Sequence, residues 1–242
     1  MIYILLNCIV YTALVAVMSF WALKNEKNRK TIGILLLTVF GYQLLTYFPF
    51  FFPDNPFYKG YNWTGKSLAT LFCIFLILIY KKDFYFGFTL KQGSGSLKPV
   101  IIVTSIVLII EAIVLWLYST PSKASLETYL FQLTIPGISE EIAFRGLFLG
   151  LLNAIFLKRK LILKAQMGWG AVVVSVLFIA VHILGFNKDL TLYFHFNFWT
   201  VLSLLPTTFL FVWQRERTNS MLIPIVYHNL SNTLMFFIYA LK

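Results

Sequence analysis

The sequence predicts an all-α membrane protein, a polytopic bundle of about eight transmembrane helices. Three observations carry that prediction. Of the 242 residues, 59% are hydrophobic and 12% charged, with a mean hydropathy of +0.80, whereas an ordinary soluble domain is about a quarter charged. Eight stretches approach the roughly 20 apolar residues that a spanning helix needs. Basic residues also alternate in density from one connecting loop to the next. A water-soluble fold of this size could not hide so much apolar surface, so the bilayer is the expected solvent and partner. The formal charge of +11 would suggest nucleic acid in a soluble chain. Here it reads as loop charge that fixes topology, and no nucleic-acid partner is expected.

The expected spans run over about 2–23, 31–52, 62–80, 99–119, 127–157, 168–187, 190–213 and 219–241. The start, Met1-Ile2-Tyr3-Ile4, lacks the basic region of a signal peptide and reads as a retained first span. Cys8 and Cys73 lie in apolar runs and read as packing residues. Flexible composition is confined to Gly93-Ser94-Gly95-Ser96. The fifth segment is interrupted by Pro136-Gly137, which predicts a short outer helix leading into a span over about 138–157.

Loop charge tests this count. The odd-numbered loops hold Lys24, Lys27, Arg29 and Lys30, then Lys81, Lys82, Lys91 and Lys98, then Lys158, Arg159, Lys160 and Lys164, then Arg215 and Arg217. The even-numbered loops, with their flanking span ends and the chain end, hold Lys59, Lys66, Lys123, Lys188 and Lys242. Fourteen against five places the odd loops in the cytoplasm and both termini outside, by the positive-inside rule. The aromatic-rich stretch from Tyr47 to Trp63 then belongs to the outer interface.

Ionisable groups inside spans cost at least a few kcal/mol each on insertion scales and mark function. The fifth segment carries Glu140, Glu141 and Arg145, the sixth Phe178 and His182, the eighth His228 and Asn232. Glu141 and Arg145 are four apart, with the acid first, the favoured order for an ion pair. Glu140 is turned about 100° away on its helix. An unpaired carboxylate in apolar surroundings can take a proton from water. His182 follows Phe178 by one turn, so the ring can wall a pocket beside the imidazole. His228 and Asn232 present an imidazole and an amide to one spot. At 1.5 Å per residue, Glu140 lies about 27 Å from Lys158, His182 about 27 Å from Lys164, and Asn232 about 22 Å from Arg217. Three spans thus bring these groups to similar depth, in the middle or outer part of the membrane. Glu111 reads either as a buried partner for a neighbouring span or as a functional residue, and His195 as an interfacial one.

Taken in order, EExxxR at Glu140–Arg145, FxxxH at Phe178–His182 and HxxxN at His228–Asn232 resemble the CPBP family of intramembrane proteases. That family comprises CAAX proteases and bacteriocin-processing enzymes (also called Abi) and is related to the Ras-converting CAAX endopeptidase. Arg217-Thr218-Asn219-Ser220 is similar to the family's RTxS lead-in. The resemblance divides the chain into spans 1–4 without motifs, residues 1–125, and a catalytic core with spans 5–8, residues 126–242. It implies a glutamate-dependent endopeptidase acting on a membrane-associated peptide or membrane protein. Glu140 would activate the attacking water and His182 would help hold it. His228 and Asn232 would stabilise the oxyanion, while Glu141, Arg145 and Phe178 would support the site. No cofactor is expected: the sequence has no HExxH, and Asn is a poor zinc ligand. If a metal is bound, its ligands would be Glu140, Glu141, His182 and His228.

The same residues leave two other functions open. One is self-immunity to a bacteriocin, or regulation, by a protein of the same family; the other, from a different class, is a proton-coupled transporter. A bacterial cell membrane is the expected location. Reporter fusions at Lys160 and Lys188 should read cytoplasmic and extracytoplasmic respectively; a cytoplasmic reporter at Lys188 would overturn the topology.

Overall fold

Glycine, proline and capping residues punctuate the apolar runs, and the helices follow them. A computed structural model describes residues 1–52, 60–195 and 198–242, with no account of the side chains at 198–202. Helix α1 spans Ile2–Ser19, α2 Glu26–Tyr47, α3 Trp63–Tyr80 and α4 Leu97–Tyr118. They are followed by α5 (Leu126–Glu141), a π-helical segment (Ile142–Phe148), α6 (Leu149–Ile155), α7 (Trp169–Ile183), α8 (Phe198–Thr218) and α9 (Leu222–Leu241). Side-chain caps start three of them. Asn25 accepts from the Lys27 N–H, Asn62 from Gly65 and Ser125 from Thr128, each satisfying an orphan donor of the first turn.

Several expectations need correction. The fifth segment is not broken at Pro136-Gly137: α5 runs through Pro136 to Glu141, continues as the π segment and ends as α6. The chain is mostly but not wholly α. Two antiparallel hairpins, β1 (Arg159–Ile162) with β2 (Ala165–Gly168) and β3 (Leu184–Phe186) with β4 (Leu192–Phe194), occupy stretches expected as loop and span ends. The helix of the sixth expected span, α7, therefore stops at Ile183, and α8 starts at Phe198. The Gly93–Ser96 loop is tied down: the Gly93 N–H bonds the Thr218 carbonyl at 2.6 Å, and the Ser96 hydroxyl bonds Gly93 O. Lys59 and the aromatic residues at 53–59 lie outside the described residues, as does Phe196 beside His195.

Among the described residues, four helical stretches are long and apolar enough to cross a bilayer: Ile2–Lys24, Glu26–Phe51, Trp63–Tyr80 and Leu97–Tyr118; Trp169–Ile183 is a shorter apolar helix. Length and composition therefore carry four spans rather than eight. The reason is physical: α5 and α9 hold the polar motif residues and α8 ends in Gln214–Thr218, which dilutes their hydropathy.

The loops still sort into two ends. At one, Trp21 packs on Phe156, Trp169 bonds the Met18 carbonyl, Trp213 bonds that of Leu163, and Arg217 that of Gly95. At the other, Asn7 and Tyr11 bond strand β3, Tyr61 bonds Thr128, and the Ser122 N–H bonds the Tyr239 carbonyl. The loops expected to be basic thus gather at the first end and the chain termini at the second. Arg215 is the exception among the loop charges: it is buried in α8, donating to the carbonyls of Arg145 and Tyr85.

The core centres on the π segment, all seven residues of which are buried. Helix α4 lies at the periphery, with Val100 and Thr104 its buried residues, and Glu111 fastens it to α9. The Tyr227 hydroxyl donates to one Glu111 oxygen at 2.5 Å and Ser231 to the other at 2.9 Å. That is the interhelical partner role. Cys8 and Cys73 are free and buried.

The first turn of α3 is seated on α2 by close backbone approach. A Cβ on Gly65 would lie 2.2 Å from the Thr46 carbonyl oxygen, while the Asn62 amide donates to that same oxygen. Gly65→Ala should therefore push α3 outward at a cost of roughly 1–3 kcal/mol, read as a lower thermal midpoint of the purified protein in detergent.

Candidate functional site

Helix α5 reaches the site past a proline, and α9 repairs the damage. Pro136 removes a backbone donor and obstructs the preceding turn. The side chain of Asn229 fills in: its Oδ1 accepts from the Gly137 N–H at 2.7 Å and its Nδ2 donates to the Thr134 carbonyl at 3.0 Å. The approach requires glycine, since a Cβ on Gly137 would lie 2.5 Å from Asn229 Oδ1. Helices α5 and α9 are thereby locked in register, with Glu140 and Glu141 about one turn beyond the lock and His228 beside it.

Glu141 and Arg145 form the expected ion pair. Arg145 Nη1 lies 3.2 Å from Glu141 Oε1, and both side chains are fully buried. The guanidinium also donates to Thr208 Oγ1 at 2.9 Å and sits over the rings of Phe178 (4.0 Å) and Phe211 (4.6 Å). Glu141 Oε1 has a second partner, His228 Nδ1, at 2.8 Å. The His228 ring stacks on Phe211, with centroids 5.0 Å apart and planes 22° apart. His182 is oriented in a comparable way, its Nδ1 lying 2.7 Å from the Phe178 carbonyl oxygen and its ring against Phe178. A carbonyl and an ionised carboxylate only accept hydrogen bonds, so both rings carry a proton on Nδ1. Both Nε2 atoms are left to face elsewhere.

They face Glu140. Glu140 Oε2 is 3.9 Å from His182 Nε2 and 3.9 Å from His228 Nε2, and it is buried without a hydrogen-bond partner among the described residues. Such gaps are too long for direct hydrogen bonds and short enough for one water to bridge. The other oxygen, Oε1, is held at 2.5 Å by Lys66 Nζ. His182 is 38% exposed, against 14% for Glu140 and 9% for His228, so access comes from the His182 side. Lys66 is in the first turn of α3 and His182 in the last turn of α7. Both helix ends point toward the end of the bundle that carries the chain termini.

The structure thus gathers Glu140, Glu141, Arg145, Phe178, His182 and His228. Asn232 lies one turn beyond His228 on α9 and is half-buried. His195 is exposed, its backbone bonded to Ile183 and its ring against Tyr193. Two residues were not anticipated. Lys66 counts in the sequence as a span-end charge; its position four residues inside the expected span 62–80 was the available signal. Asn229 reads as a spacer in HxxxN, and only the unsatisfied backbone expected around Pro136 pointed to it. The RTxS stretch is architectural: Thr218 and Ser220 are buried, and the Ser220 hydroxyl bonds the Thr89 carbonyl.

As a metal centre the group does not fit. Among the described residues no set of three or more His, Cys, Asp and Glu side chains is arranged to hold an ion. The lysine ammonium already occupies Glu140 Oε1, and Glu141 is committed to Arg145 and His228.

Comparison with known proteins bears on this same half of the chain. Residues 122–234 match the family described as Type II CAAX prenyl endopeptidase Rce1-like. This stretch is a CAAX-protease-like region. It starts just before α5, ends within α9, and contains each motif residue while leaving out Lys66. No curated protein matches the chain, and no solved structure does.

Removing one partner from a buried pair leaves a stranded charge, which costs about 3–5 kcal/mol. Glu141→Gln should strand Arg145 and loosen His228, and should show as sharply lower accumulation of folded protein in the membrane, whatever the activity.

Proposed function

We propose that this protein is an intramembrane endopeptidase of the CPBP type, hydrolysing a peptide bond in a membrane-associated peptide or membrane protein. One observation carries the reading: a buried carboxylate oxygen, Glu140 Oε2, without a hydrogen-bond partner among the described residues and equidistant from two histidine Nε2 atoms. The CAAX-protease-like region around it supports the same chemistry.

In this mechanism a water bridges Glu140 Oε2 and His182. Glu140 takes its proton as the water oxygen attacks the scissile carbonyl, forming the tetrahedral intermediate. Glu140 then returns that proton to the departing amine nitrogen as the C–N bond breaks. The Asn232 amide and His228 donate hydrogen bonds that stabilise the oxyanion, a contribution that is often the largest catalytic term. Glu141 and Arg145 hold His228 in place. No serine or cysteine nucleophile is required.

The protein is read as an eight-span integral membrane protein of a bacterial cell membrane, with the basic end in the cytoplasm and both termini outside. The site then opens toward the extracytoplasmic side, where a substrate would be cut near its membrane boundary. A cytosolic prenylated peptide fits this orientation less well.

Removal of a general base typically costs 10²–10⁴-fold in rate. Glu140→Gln should accumulate as the wild type does and lose cleavage by about that factor. Comparing membrane proteomes and secreted peptides from cells carrying the two proteins gives the measurement; identical peptide profiles from an active strain would overturn the reading.

A further inference from the structure

A lysine within one turn of a span end can extend to the interface and keep its charge in water. Lys66 does not. Its side chain is 17% exposed and turns inward onto Glu140 Oε1, while its own carbonyl accepts from the hydroxyl of Ser139, the preceding residue of α5, at 3.2 Å. Residue 66 is therefore fixed to α5 at two consecutive positions, by main chain and by side chain. The turn that carries it is itself held on α2 through Asn62 and Gly65.

We infer that Lys66 is a positioning residue of the hydrolytic site: by holding one oxygen of Glu140, its ammonium aims the other at the gap shared by His182 and His228. The inference rests on the proposed protease function and adds a residue from the half of the chain that carries no motif. A carboxylate has two equivalent oxygens and a soft terminal torsion. Left alone, Glu140 could turn either oxygen toward the histidines. The groups around it come from four further helices: Lys66 on α3, His182 on α7, His228 on α9 and Tyr42 on α2, whose hydroxyl meets that of Ser139 at 3.5 Å. Arg145, on the same continuous helix, is spent on Glu141. Among the described residues, Lys66 is thus the lysine or arginine in contact with Glu140, and it engages the oxygen that the histidines do not face.

Charge replacement tests this. The full-length protein in bilayer vesicles is assayed with an internally quenched single-span peptide that the wild type cleaves, and Glu140→Gln is assayed beside it. Misplacement of a reacting group by about 1 Å can cost as much as a hundredfold, so Lys66→Cys should lower kcat at least tenfold with KM within twofold. Alkylation of that thiol by 2-bromoethylamine expels bromide and leaves a thioether ending in a primary ammonium at lysine's length; it should restore most of kcat. Alkylation by iodoacetamide, which adds bulk without charge, should not. Cys8 and Cys73 are buried, and the wild type treated in the same way is the control. Retention of kcat within twofold in Lys66→Cys, or equal rescue by both reagents, overturns the inference and leaves the protease reading standing. Cleavage by Glu140→Gln would instead remove the protease reading, and this inference with it. Should Lys66→Cys fail to accumulate, Lys66→Arg and Lys66→Gln replace it: the first should retain more kcat than the second, and equal values overturn the inference.

Discussion

The structure depends on one buried charge pair. Glu141 and Arg145 are both fully withdrawn from solvent, with the guanidinium lying over the rings of Phe178 and Phe211. Such a pair adds little net stability, because desolvation offsets much of the attraction. It confers definition. The guanidinium can be satisfied only where Thr208, Phe178 and Phe211 meet it, and that fixes α5, the π segment, α7 and α8 relative to one another. The carboxylate oxygen that meets the guanidinium also accepts from His228 Nδ1. The orientation of the imidazole is therefore set by the same pair that sets the helix packing.

Adjacent residues divide the remaining work. Glu140 and Glu141 differ by one step along α5, and the helical rotation of about 100° sends them into separate surroundings. One meets arginine and a ring nitrogen that carries a proton. The other meets lysine on one oxygen and two unengaged ring nitrogens across a gap on the other. Immediately after them the helix widens into a π turn, a feature often found at functional sites. Arg215 takes up the Arg145 carbonyl at that turn. Two chemically identical side chains thus acquire different surroundings from position alone.

Much of this arrangement was legible in the sequence, for a specific reason. The Glu141–Arg145 pair, the separation of Glu140, the Phe178–His182 stack and the placement of His228 are consequences of helical spacing, and spacing is written along the chain. What was not legible depends on contacts between distant segments. Lys66 looks like any basic residue near a span end until α3 is laid against α5. Pro136-Gly137 reads as a break because the group that mends it, Asn229, is 92 residues away. The two hairpins escaped for a related reason: their strands are three or four residues long, too short to show an alternating pattern. The π turn has no sequence signature of its own. The eight-span count sits between these cases, since the same polar residues that reveal the site lower the hydropathy of the helices that carry them.

The amide of Asn229 has an implication for how the molecule is made. Helix α5 borrows part of its main-chain bonding from a residue that a ribosome adds nearly a hundred codons later, and His228 arrives in the same turn. Until α9 is made, α5 holds an incomplete stretch of main-chain bonding, and the Glu140 carboxylate faces one imidazole instead of two. The order of synthesis therefore leaves the cluster incomplete until α9 docks.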